Sequence, residues 1–199
     1  MCGRYAIYTE EENLEIREII RDINDRYINA AEQMKLGEIC PSNIAPVVLS
    51  DPTDRYRGAL LKWGIGNTRF NNGILINARC ESVFEKPTFR NLIPVNRCLL
   101  PASCFFEWKT NASGKKIKYS MRPAGSTCFY MAGIFDNFDN FVIITTDPSA
   151  QAAKIHERMP AIFRSREEAL EWISPGANIN GTVQSLLVPF DGDLSITAA

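Results

Sequence analysis

Histidine is nearly missing from this chain: 199 residues hold one, His156. The six cysteines, Cys2, Cys40, Cys80, Cys98, Cys104 and Cys128, include no C-x-x-C pair. A zinc site would have to be assembled from scattered thiols and carboxylates, so no metal centre and no cofactor are expected. No run approaches the roughly 20 apolar residues of a membrane-spanning helix. The opening MCGRYAIYTEEE turns acidic at once, where a signal or transit peptide would be basic. Internal repeats and low-complexity tracts are also absent. These absences exclude membrane, fibrous and disordered classes and leave a cytoplasmic protein with reduced thiols as the expectation. With 45% hydrophobic and 23% charged residues, the length suits a single domain over residues 1–199.

The net charge of −1 hides an uneven distribution. Residues 1–55 balance at −5, residues 56–122 at +9 and residues 123–199 at −5. A central third this basic is suited to lining a groove for a polyanion; the plainer alternative is a solvated basic face.

Thr9-Glu10-Glu11-Glu12 matches a capping box, with Ile16, Ile19, Ile20, Ile23 and Tyr27 following at helical spacing. From residue 44 onward the signals are short strands: Ala45–Leu49, Arg57–Lys62, Gly73–Ala78, Arg97–Leu100, Phe105–Lys109, Ile117–Met121, Thr127–Ile134 and Phe141–Thr146. Asn111-Ala112-Ser113-Gly114 reads as a hairpin turn, residues 148–155 as a short helix, and Ser165–Glu168 as a second capping box opening a helix through Ile173. The fold class is α+β: a curved antiparallel sheet or open barrel with peripheral helices.

Cys2 follows the initiator methionine and is small enough for Met1 to be trimmed. Trimming leaves an α-amine and a thiol on one residue. An α-amine titrates at about 7.7–8 against about 10.4 for lysine, so part of it is neutral at pH 7. The pair suits acyl transfer, with thiol as nucleophile and amine as base, or capture of an aldehyde as an imine that the thiol closes to a thiazolidine. The plain alternative is a small buried residue. Asn77-Ala78-Arg79 ends a β-like run. Glu107 is a carboxylate inside the apolar stretch Phe105-Phe106-Glu107-Trp108, so it needs a partner or a raised pKa. His156 follows a helix-like stretch.

Six blocks then come in the order of one family. They are Met1–Tyr5; Asn43–Pro46; Trp63-Gly64; Asn77–Glu81 with Lys86–Arg90; Arg97–Ala102 with Phe106–Trp108; and His156–Pro160. The sequence resembles the SOS-response-associated peptidase (SRAP) domain, whose members crosslink themselves to abasic sites in single-stranded DNA. The resemblance runs from Cys2 to at least Phe163. It implies that Cys2 forms the crosslink through its α-amine and sulfur, that Asn77 orients it, that Glu107 moves protons at the amine, and that His156 acts at the sugar oxygen as acid or base. The same groups would remove residues preceding Cys2 by self-cleavage. It also implies phosphate contacts from Arg4, Arg79 and Thr145, with the loop of Asn43 and Pro46 near the lesion. Lys86 and Arg90, in the basic third, are further backbone contacts on charge grounds. Where relatives carry a tryptophan in the loop after Trp63-Gly64, this chain has Ile65–Asn72 with Phe70 as its only aromatic, so the wedge falls to Phe70. Trp63 and the other cysteines read as core. The expected partner is single-stranded DNA containing abasic sites, bound by a monomer associated with the nucleoid when on DNA.

Two other readings stay open at this level. One is an N-terminal-nucleophile amidohydrolase, since class II glutamine amidotransferases also begin Met-Cys-Gly. The other is a non-covalent single-strand-binding module in which Cys2 is incidental.

Overall fold

The computed structural model describes residues 2–10, 13–51, 53, 55–67 and 73–199. Along the chain these form β1 (Tyr5–Ile7), α1 (Leu14–Arg26), α2 (Ala30–Gln33), β2 (Gly37–Ile39), β3 (Ile44–Ser50), β4 (Tyr56–Trp63), β5 (Ile65–Asn67), β6 (Gly73–Leu75), β7 (Asn77–Arg79) and α3 (Cys80–Val83). Then come β8 (Arg97–Ala102), β9 (Cys104–Thr110), β10 (Lys116–Pro123), β11 (Phe129–Phe135), β12 (Asn140–Thr146), β13 (Met159–Pro160), α4 (Arg166–Ile173) and β14 (Leu194–Ala198). A 3₁₀ turn, Ala152–Lys154, precedes β13.

Two sheets share the core. The first has the order β14-β10-β9-β1-β2 and is antiparallel throughout. The second runs β11-β8-β3-β4-β12-β13, with β7 added parallel to β12. It curls until β12 touches both β4 and β11.

Continuous apolar runs explain this arrangement. In the second sheet Ala45, Val47, Cys98, Leu100, Met131, Phe141 and Ile143 face the first sheet. Their neighbours Val48, Leu99, Ala132, Ile134, Val142 and Ile144 face the other way, onto Trp172 and Ile173 of α4. A sheet covered on both faces needs runs rather than alternation. Helix α1 rides on β4 at Gly58, where a Cβ would lie 2.6 Å from Ile23, and Asp22 accepts the Gly58 N–H at 2.7 Å.

Several expectations are adjusted. The first helix starts at Leu14, not after Thr9; its N-cap is Asn13, whose amide instead donates to Tyr8 O and Thr127 O. Glu11 and Glu12 lie outside the described residues. The second box forms in its first half, with Ser165 Oγ accepting the Glu168 N–H at 3.3 Å, while the Glu168 carboxylate accepts the Arg164 N–H at 3.0 Å. The 73–78 run splits at Ile76, because β6 pairs with β5 while β7 pairs with β12. Residues 148–155 hold only the 3₁₀ turn.

Arg97 ties α4 to this frame. Its buried guanidinium donates to the carbonyls of Ile93, Trp172, Pro94 (3.0 Å) and Ser174 (2.7 Å). Arg97→Met should strand several of these acceptors and lower the unfolding free energy by about 3 kcal/mol, measured as a reduced urea midpoint.

Candidate active site

The break at Ile76 positions the first site residue. Asn77 opens β7 in parallel register with Ile143, and its Nδ2 donates to Cys2 O at 2.9 Å. Asn77 Oδ1 is buried with no hydrogen-bond partner among the described residues. Cys2 stands three residues before β1, fully buried, with Sγ 3.8 Å from Arg4 O. Burial pushes its thiol pKa far up, and the nearby charge of Glu107 pushes it the same way.

Glu107 lies in β9 opposite Tyr119 and is 3% exposed. Burial raises its pKa to about 7, against the downward pull of the positive amino terminus. His156 Nε2 sits 3.8 Å from Glu107 Oε2. Burial lowers the imidazole pKa, again with help from the amino terminus. Four residues spread from position 2 to 156 are thus joined: Asn77 to Cys2 by a hydrogen bond, Glu107 to His156 by proximity, and Cys2 to Glu107 electrostatically. The result is a buried thiol, an amide that holds the carbonyl of the same residue, and a carboxyl titrating near neutrality beside an imidazole whose pKa is lowered, the kind of perturbed cluster that marks a candidate site.

A cluster that sequence reasoning gave no role holds this arrangement. Arg158 Nη1 donates to Glu81 Oε1 and Asp147 Oδ1, both at 2.6 Å. Its Nη2 donates to Glu81 Oε2 at 3.0 Å and Thr145 O at 2.8 Å. Both Glu81 and Arg158 stand inside the recognised blocks, but nothing in a linear sequence announces a pair separated by 77 positions.

The DNA-contact candidates divide. Arg79, Lys86 and Arg90 are exposed, and the Arg90 N–H bonds back to Lys86 O at 2.8 Å, which puts the last two on one turn. Arg4 is half-exposed but occupied: Nη1 is 3.2 Å from Glu38 and the guanidinium lies 5.4 Å from the Trp108 ring centroid. Asn43 closes a turn, its Oδ1 accepting the Cys40 N–H at 2.9 Å. Two assignments are corrected by depth. Pro46 lies in β3 with its ring buried. Pro46 is therefore strand rather than loop, and Thr145, with 0% exposure, turns its hydroxyl to Ala78 O, away from the surface where a phosphate would lie. Phe70 lies outside the described residues. Trp63 is core, its Nε1 donating to Ile76 O at 2.9 Å. Among the described residues no three His, Cys, Asp or Glu side chains cluster as a metal site, and no helix is long and apolar enough to cross a membrane.

Comparison with known proteins gives the same grouping. Abasic site processing protein YoaM of Bacillus subtilis is 30% identical over 97% of this chain and 88% of its own. Abasic site processing protein YedK of Escherichia coli is 29% identical over 87% and 79%. HMCES of Xenopus tropicalis, also named an abasic site processing protein, is 28% identical over 68% and 52%. A crystal structure of a Bacteroides thetaiotaomicron protein shares the fold, with a TM-score of 0.81 at 24% identity over 99% of this chain and 91% of that one. The family model of the SOS response associated peptidase (SRAP) matches residues 1–198. A match running over nearly the whole chain, with relatives of up to about a third identity along most of it, means that this chain belongs to the SRAP family.

Proposed function

We propose that the protein captures abasic sites in single-stranded DNA, binding covalently through the residue that becomes N-terminal when Met1 is removed. The names of the relatives support the substrate class. The observation that carries the chemistry is Glu107, a buried carboxyl near pKa 7, felt by Cys2 and 3.8 Å from the only imidazole.

An abasic deoxyribose opens to a C1′ aldehyde. The neutral α-amine of Cys2 adds to that carbon, and Glu107 relays one amine proton to the resulting alkoxide to give a carbinolamine. Glu107 then relays the second nitrogen proton to the hydroxyl, which leaves as water and gives an imine. The Cys2 sulfur adds to the imine carbon, its proton passes to nitrogen, and a thiazolidine closes; one water is lost overall. Asn77 holds Cys2 O through Nδ2, and its open Oδ1 is suited to accept from the freed amine. His156 donates to the sugar oxygen. A thiol held protonated by burial favours this amine-first order over a thiolate-first amidohydrolase. The same nucleophile and carboxyl would cleave peptide preceding Cys2. Arg79, Lys86 and Arg90 would track phosphates, one protein per lesion.

The test uses a single-stranded oligonucleotide whose one uracil has been converted to an abasic site. A denaturant-stable adduct should form without borohydride, weighing the sum of both partners less one water, and the intact oligonucleotide should give none. An adduct that needs borohydride to survive would refute ring closure by sulfur.

A further inference from the structure

His156 is fixed at one ring nitrogen by the main chain. The Arg158 N–H donates to His156 Nδ1 at 3.1 Å. That bond needs a lone pair, so Nδ1 carries no proton while it stands, and the neutral ring keeps its proton on Nε2. Nε2 is the nitrogen that faces Glu107.

What aims that N–H is the guanidinium further along the same residue. Arg158 is 7% exposed, and its fork grips Glu81 at both carboxylate oxygens. It also holds Asp147, just past β12, and the Thr145 carbonyl within β12. Glu81 belongs to α3, which continues directly from β7, the strand that positions Asn77. Beyond Arg158 the chain enters β13, paired to β12 at Thr146↔Met159. The turn bearing His156 is therefore referenced to the same β7–β12 pair that presents Asn77. A planar, bidentate guanidinium does this where a lysine cannot.

We propose that Arg158 is a positioning residue: clamped by Glu81 and Asp147, it holds His156 as the Nε2–H tautomer, so that the imidazole meets the sugar only as a hydrogen-bond donor. The sugar half of this statement rests on the function proposed above; the tautomer half does not. With Nδ1 occupied, a second proton can enter the ring only by displacing the Arg158 N–H. The charged groups facing the ring are Glu107 from β9, Glu157 beside it and the amino terminus. Base duty then falls to Glu107 alone, and His156 stabilises charge on the ring oxygen as it opens, without having to surrender a proton.

Because the chain has a single histidine, [¹⁵N]histidine labelling reports this ring and no other. In the intact protein above pH 8, long-range ¹H–¹⁵N correlation should show a bare Nδ1 and a protonated Nε2 as one species. Arg158→Lys and Glu81→Gln should each mix the two tautomers and strengthen ring protonation about threefold to tenfold. If Arg158→Lys fails to fold, Glu81→Gln, altered at a half-exposed side chain, gives the answer. A proton on Nδ1 in the parent, or spectra and titration unchanged in the variants, overturns the proposal. No DNA is present, so absence of any crosslink would sink the proposed function and leave this measurement standing.

Discussion

Cys2→Ala should give no adduct with abasic DNA that survives denaturation unaided. Alanine keeps the α-amine, so the imine still forms, and borohydride should trap it; what is lost is the sulfur that closes the ring. The contrast between trapped and untrapped lanes separates the two heteroatoms of one residue. Binding to the same oligonucleotide in the cold, read by anisotropy, should be unchanged, since the phosphate contacts proposed here come from Arg79, Lys86 and Arg90. Removing a fully buried sulfur should cost about 1 kcal/mol of stability. An untrapped adduct from Cys2→Ala would assign the bond to another residue.

Glu107→Gln should have the second-largest effect, and in opposite senses on rate and stability. Losing the proton-transfer role proposed for it should slow crosslinking by about 10²- to 10⁴-fold. Stability follows from the raised pKa. The carboxyl titrates near 4.5 when unfolded and near 7 when folded, so between those values the folded state holds the extra proton. The parent therefore keeps this contribution below pH 4.5 and loses it as pH rises through 7. Glutamine carries no charge to bury, so the variant should be more stable than the parent at pH 8, by on the order of 3 kcal/mol, with the gap closing towards pH 4. Thermal melts at the two pH values check this; equal gaps at both would show that the raised pKa is not the cause.

Sequence reasoning located what is written locally and missed what is written across distance. Ser165 and Glu168 met as capping partners because both lie within one turn. The first helix opens instead at Asn13, whose amide is drawn to carbonyls at Tyr8 and Thr127, the second of them 114 positions away. Strand β1 is three residues long, too short to show a period, yet it is flanked by β2 and β9. Glu107 was legible as a charge in an apolar strand, and the structure gives its environment and its neighbour. Pro46 and Thr145 are buried, which a motif does not report. Arg158 went unread because its meaning resides in Glu81 and Asp147.

Strand β1 has one more consequence. Tyr5 is paired on one side to Ile39 and on the other to Phe105, three residues after Cys2. Cys2 is thus not on a tail that can swing outward. Under the proposed function a damaged nucleotide would have to travel inward, and once joined it would inherit the rigidity of the scaffold: a fluorophore beside the lesion should tumble with the whole protein rather than wobble on a tether.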